Sequence, residues 1–435
     1  MKAVLVLNVA AVGALWACAS VAAAGDPGPC ETPREPAAGA AEAAVCATPM
    51  APPAGECVVT AEGPIEIPFR VLNHHVLVPV SVNGSPPLDL ILDTGMPVHG
   101  VMLHPCPEVD AIEFSADGAP EVAVAGGGAD TVQRVATGVT LEIPGAVFHG
   151  QLAIIASPCG PARTLAPEEA RGVIGLSLFH NFVVTFDHDR GVLVLTRPEA
   201  FAYAGQGVRL PIRLGQRPIP EVDCTLSTGE REIPLRLAID TGATHALSLT
   251  LTPQSDITPP ASARPLVIGY SYWGELSGLV GRGGALRLGD LVLDDILVTY
   301  LQAGAPGVPT CGFDGLLGNV TLRRFNVTFD YSRREMILEP NSHTAEPFEF
   351  NMSGVACRRG ASGGFEVFKV FPETPGSEAG ILPGDVIVEI DGRPSGEIPS
   401  DEMRAMFERD GASLTLGIAR RSEVVDVTVR LRRLV

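Results

Sequence analysis

One passage of this chain occurs twice. Gly172-Val173-Ile174-Gly175, followed by Phe182-Val183-Val184-Thr185-Phe186-Asp187, returns with identical spacing as Gly315-Leu316-Leu317-Gly318, followed by Phe325-Asn326-Val327-Thr328-Phe329-Asp330. Upstream, Leu90-Ile91-Leu92-Asp93-Thr94-Gly95 returns as Leu237-Ala238-Ile239-Asp240-Thr241-Gly242, and Ile67-Pro68-Phe69-Arg70 as Leu210-Pro211-Ile212-Arg213. A period of roughly 145 residues is far too long for a solenoid, whose units run to a few tens of residues, so the repeat implies two homologous lobes. Within each copy, short runs of Val, Ile, Leu and Thr alternate with Gly, Pro, Asn and Asp, as in Val76-Leu77-Val78-Pro79-Val80-Ser81-Val82-Asn83-Gly84. That is strand-and-turn chemistry, and it predicts a mainly β fold.

The lobes are expected over 65–198 and 208–342, joined where Arg197-Pro198 and Ala204-Gly205-Gln206-Gly207 interrupt the strand pattern. A third unit, expected over 348–435, opens with the apolar run Glu366-Val367-Phe368-Lys369-Val370-Phe371. It continues through Pro375-Gly376 and Gly380-Ile381-Leu382-Pro383-Gly384-Asp385 to Val386-Ile387-Val388-Glu389-Ile390 and an Asp391-Gly392 turn. Ser400 is read as the cap of a helix reaching about Glu408.

An Asp-Thr-Gly tripeptide after an apolar strand is a weak signal alone. Two copies in matched repeats are a strong one, because a pseudo-twofold axis would bring one carboxylate from each lobe to the same place. Water attacks an amide poorly. Two carboxylates sharing one proton can deprotonate the water and protonate the carbonyl oxygen, since like charges so close cannot both ionise. Asp93 and Asp240 are thus the candidate catalytic pair. Gly95 and Gly242 would allow the tight turn beside them, and Thr94 and Thr241 would hydrogen-bond across the axis. Asp187 and Asp330, at strand ends, read as turn residues.

Over about residues 65–342 the chain resembles the pepsin and retropepsin aspartic peptidases, as two homologous retropepsin-like β-barrel lobes in one chain. The resemblance rests on both Asp-Thr-Gly copies and on Val173-Ile174-Gly175 and Leu316-Leu317-Gly318. It implies peptide-bond hydrolysis by Asp93 and Asp240 through a bound water, with neither cofactor nor metal. It also implies a hairpin flap over the substrate, with Gly126, Gly127 and Gly128 the candidates in the first lobe. In the second lobe they are Gly269 to Gly274 with Tyr270, Tyr272 and Trp273, although those aromatics read equally as core. Pepsin-like members carry Ser or Thr after the motif and retropepsins usually Ala, so Ala243 fits the retropepsin pattern while Met96 fits neither. With no hydroxyl there to stabilise an ionised carboxylate, the pair is expected to work nearer neutral pH than pepsin does.

Residues 348–435 resemble a small α+β PDZ domain of the bacterial kind, on the stretch from Pro375 through Gly380-Ile381-Leu382-Pro383-Gly384-Asp385-Val386-Ile387 to Asp391-Gly392. The resemblance implies a C-terminal peptide as ligand, added as a strand. The backbone N–H groups around Ser353, Gly354 and Val355 would hold its carboxylate, and Met403, Met406 and Phe407 would line its side-chain pocket.

The net charge of -19 argues against nucleic acid as a partner, since phosphates are captured by clustered Lys and Arg. Lys2 followed by an apolar run to Ala22-Ala23-Ala24 reads as an export signal over 1–24, which places the protein in the periplasm or outside the cell. An uncleaved anchor, or a lipoprotein on Cys18, are the other readings of that run. Residues 25–62 read as a disordered or disulfide-tethered leader. Eight cysteines remain after residue 24 (Cys30, Cys46, Cys57, Cys106, Cys159, Cys224, Cys311 and Cys357), an even number that suits disulfides without fixing their pairing. His74, His75, His99, His104 and His245 are too scattered for a metal site and read as ordinary histidines. The sequence thus points to an exported aspartic endopeptidase whose PDZ domain recruits or regulates peptide substrates. A non-catalytic peptide-binding scaffold and a precursor blocked by its own leader are the alternatives.

Overall fold

The computed structural model describes residues 4–7, 55–114, 121–124, 134–155, 170–215, 218–229, 231–271, 274–304, 308, 312–360, 362–421 and 423–435. The fold is mainly β: two lobes, a sheet shared between them, and a small α+β domain at the C-terminus. Cys18, most of the expected leader and the Gly126 to Gly128 candidates lie outside the described residues, as do Tyr272 and Trp273.

Each lobe is organised around the same three strands. In the first, Leu88–Leu92 runs parallel to Gly172–Ile174, which in turn runs antiparallel to Gly100–Leu103. In the second, Glu232–Asp240 runs parallel to Gly315–Gly318, which runs antiparallel to Leu247–Leu251. The repeated hydrophobic-hydrophobic-Gly element is therefore the strand wedged between the one that ends in Asp and the one that follows it. Such strands have both faces covered, which explains why they are almost continuously apolar.

The remaining repeated segments form the shared sheet. Its strand order is Val208–Pro211, Glu335–Pro340, Phe325–Asp330, Val183–Asp187, Val192–Thr196 and Ile65–Pro68, three strands from each lobe about a central antiparallel pair. At the centre Thr185 faces Thr328, their hydroxyls 2.8 Å apart. Phe179, Phe186 and Phe329 pack beside this pair in stacked and edge-on contacts.

Two expectations shift. Cys57–Val59 is a strand paired with Ala146–Phe148, so these residues belong to the first lobe's sheet and not to a leader. Cys57, Cys106, Cys224 and Cys357 carry free thiols, and burial pushes those of Cys57, Cys224 and Cys357 up to about 11, 12 and 12. The other four cysteines lie outside the described residues.

In the C-terminal domain the sheet order is Val355–Arg359, Phe365–Val370, Val386–Ile390, Ser413–Arg420 and Glu423–Arg430. The helix Ser400–Phe407 covers it, sinking Met403, Met406 and Phe407 into a core with Phe365, Ile387 and Leu416. Ser400 is the first helical residue and Pro399 the cap, so Ser400 supplies no side-chain cap. The domain is bound to the second lobe through its connecting segment. Arg324 is buried, with its guanidinium 3.8 Å above the Phe348 ring, and donates to the Pro347 carbonyl at 2.9 Å. Arg282 donates to the Phe348 carbonyl at 2.7 Å and pairs with Glu349 and Asp295.

Candidate active site

Asp93 follows the strand Leu88–Leu92 directly, and Asp240 ends the strand Glu232–Asp240. Each carboxylate is pinned by its own loop: Gly95 N–H donates to Asp93 Oδ1 at 2.6 Å, and Gly242 N–H to Asp240 Oδ1 at 2.9 Å. The parallel strand behind supports each loop. Asp93 N–H donates to the Ile174 carbonyl at 2.9 Å, and Asn319 N–H to the Ala243 carbonyl at 2.7 Å. A β-carbon on Gly175 would stand 2.3 Å from the Asp93 carbonyl oxygen, and one on Gly318 would stand 2.2 Å from that of His245. This close approach of backbone to backbone is the physical reason the third residue of each repeated element is Gly.

The two loops meet through their threonines. Thr94 N–H donates to Thr241 Oγ1 at 3.0 Å and Thr241 N–H to Thr94 Oγ1 at 3.0 Å. The hydroxyls then donate outward, Thr94 to the Ile239 carbonyl at 2.7 Å and Thr241 to the Leu92 carbonyl at 2.8 Å. Every donor in this reciprocal set is satisfied although Thr94 and Thr241 are buried, which fixes one loop against the other. The Asp93 carboxyl lies against Gly242: a β-carbon there would be 2.6 Å from its Cγ.

Asp93 and Asp240 are almost wholly buried, at 2% and 1% exposure. Burial, and then the charge of Asp240, raise the Asp93 pKa well above the usual carboxylate value, and burial raises that of Asp240. Asp240 Oδ2 is buried without a hydrogen-bond partner among the described residues. Two carboxyl groups so placed cannot both ionise easily, which is the condition under which a pair shares one proton.

Near the dyad stand Tyr331 and Asn319, which the sequence did not single out, and His75, which it read as an ordinary histidine. The Tyr331 ring stacks on Phe179 at 5.4 Å, and its hydroxyl is buried without a hydrogen-bond partner among the described residues. Its pKa is pushed well up by burial and by the charge of Asp93. The His75 ring is buried beside the Gly242 and Leu72 carbonyls, and burial lowers its pKa to about 4 against their pull. His99, His104 and His245 are likewise pushed down to about 4 by burial. In the repeats, Asn319 stands where the first lobe has Leu176, and this polar-for-apolar exchange was the available signal for it. In the second lobe, Tyr270 sits on the hairpin of Arg264–Ser271 with Gly274–Arg282, at the position facing Glu275.

In the C-terminal domain, a short helix Pro375–Glu378 with a Thr374 capping box precedes the Gly384-Asp385 turn, which is held by backbone bonds to Val367 and by the Asp385 pair with Arg420. A profile of the PDZ domain matches residues 349–431. This unit is a PDZ domain. Its Ser353, Gly354 and Val355 loop is tied up internally. Ser353 N–H donates to Asn351 Oδ1 at 2.9 Å, Val355 N–H to Ser353 Oγ at 3.0 Å, and Asn351 Nδ2 to the Val355 carbonyl at 2.9 Å. Two of the three amides expected to receive a peptide carboxylate are therefore committed within the PDZ loop. Met403 and Phe407 face inward into the domain core. No curated protein matches the chain in sequence. Among solved structures, an aspartic proteinase from Irpex lacteus aligns with 65% of this chain and 99% of its own, at 13% identity and a TM-score of 0.40. That similarity is too distant to assign an activity.

Proposed function

We propose that the chain is an aspartic endopeptidase in which Asp93 and Asp240 activate a water molecule against a peptide bond. The observation that carries this reading is the buried carboxylate pair on two matched loops, locked together by the reciprocal Thr94 and Thr241 hydrogen bonds. One carboxylate takes the proton of the attacking water while the shared proton passes to the carbonyl oxygen. The tetrahedral intermediate then collapses, with that proton balance reversed onto the leaving amine. A protein that merely clasped a strand would gain nothing from two buried carboxyls whose ionisation costs free energy. The PDZ domain recruits peptide or protein substrates, and the N-terminal signal directs the chain to the periplasm or the exterior, with attachment through Cys18 as the alternative.

Activity requires one carboxyl protonated and one ionised. Raising both pKa values moves that window up: with Asp240 pushed to about 6 and Asp93 held well above the usual carboxylate value, the rate should peak nearer neutral pH than that of a dyad of ordinary carboxyls. A pH profile of kcat/KM on a cleaved library peptide tests the assignment, together with inhibition by a hydroxyl-bearing transition-state mimic. A maximum near ~pH 2 would contradict the raised dyad.

A further inference from the structure

The PDZ domain is hydrogen-bonded to the first lobe at the turn that carries Asn73 and His74, and that turn leads to the catalytic loop of the second. The helix Ser400–Phe407 turns Asp401 and Arg404 outward onto the turn between Arg70–Leu72 and His75–Val82. Asp401 Oδ1 accepts the Asn73 N–H at 2.8 Å and the Arg404 guanidinium at 2.6 Å. Arg404 donates in turn to His74 Nε2. His74 can accept because it is held neutral: burial, and then the charges of Arg404 and Arg323, keep its pKa well below the usual value. Asn73 and His74 both have positive φ, 50° and 64°, a costly backbone for these residues that the clamp helps to maintain.

Two links run from this turn to the dyad. The His74 carbonyl accepts from Asn319 Nδ2, and Asn319 N–H donates to the Ala243 carbonyl at 2.7 Å. His75, next in the chain, is buried beside the Gly242 carbonyl, and Gly242 in turn lies against the Asp93 carboxyl. The matched position in the first lobe, Leu176, has no side-chain donor, so only the second lobe's loop is held in this manner.

We propose that the PDZ helix positions the Asp240 loop through the Asn73, His74 and His75 turn, so that turnover at the dyad depends on how the PDZ domain sits. This deepens the peptidase reading and rests on it. Arg404 and Asn319 are positioning residues, remote from the reacting atoms. Because the opposite face of the same helix fills the PDZ core, repacking of that core moves the clamp.

The test uses the full chain and a short quenched-fluorescence peptide, with Arg404→Ala, Asn319→Leu and, as control, Arg432→Ala, which breaks exposed bonds to Glu378 and to the Glu373 carbonyl, away from the Asn73–His74 turn. Arg404→Ala and Asn319→Leu are expected to lower kcat about tenfold or more with KM within about twofold, while Arg432→Ala matches wild type. Hydrogen exchange of the 240–246 amides should rise about tenfold in both positioning variants. Unchanged kcat and unchanged exchange at 240–246 in folded Arg404→Ala and Asn319→Leu would overturn the proposal, as would an equal effect of Arg432→Ala. Should wild type cleave no peptide, the peptidase reading fails and the exchange measurement alone still decides the coupling.

Discussion

An Asp carboxyl with almost no water around it keeps its proton to higher pH than an exposed one, and the consequence extends from catalysis to stability. Because the folded-state pKa values of Asp93 and Asp240 are raised, their protonated forms favour folding. That contribution is complete below the unfolded pKa and is lost as pH rises through the folded values. At pH 7 the dyad is therefore a destabilising site. Asp240→Asn should raise stability by about 2 kcal/mol at about pH 7, with no gain at about pH 4, as read by thermal melts at the two pH values. Gly242→Ala should act in the opposite direction. Its methyl would stand 2.6 Å from Asp93 Cγ, so either the carboxyl or the loop must move, and kcat should fall by about 100-fold or more. Asp93 and Asp240 were legible in the sequence because each lies within a short motif that occurs twice. His75 and Tyr331 were not, because an isolated buried His or Tyr looks the same in sequence whether it lies beside a carboxylate or beside leucines.

At the scale of elements, symmetry is carried by the wedged strand and by the shared sheet. The repeated segments that form them were readable because their spacing is the same in the two copies, but the sheet shared between the lobes was not. The antiparallel pairing of Phe325–Asp330 with Val183–Asp187 was not readable, since nothing in either strand names its partner. Thr185 and Thr328 mark that junction. Thr185→Val leaves a largely buried Thr328 hydroxyl without its partner and should cost about 1 kcal/mol in denaturant melts. The double Val variant should cost less than the sum of the singles, because no unpaired hydroxyl then remains. The PDZ loop shows a different limit of local reading. Ser353, Gly354 and Val355 were picked out by position in a motif, whereas the Ser353 amide and hydroxyl are both taken by Asn351, outside it, and the Val355 amide by the Ser353 hydroxyl.

For the whole molecule, the boundary near residue 348 was visible as a change of texture, but a change of texture does not reveal whether two domains are docked. The docking depends on Arg324, a buried guanidinium that serves the carbonyls of the connecting segment. Arg324→Leu strips those carbonyls of their donor and should cost about 3 kcal/mol, with limited proteolysis accelerating between residues 341 and 349. The central claim concerns the dyad, which requires one carboxylate from each lobe. Its most direct test is kcat/KM on a single cleaved peptide for wild type, Asp93→Asn and Asp240→Asn. A shared dyad predicts that each variant loses about 1000-fold or more while remaining folded. Retention of near wild-type hydrolysis in either variant would contradict it.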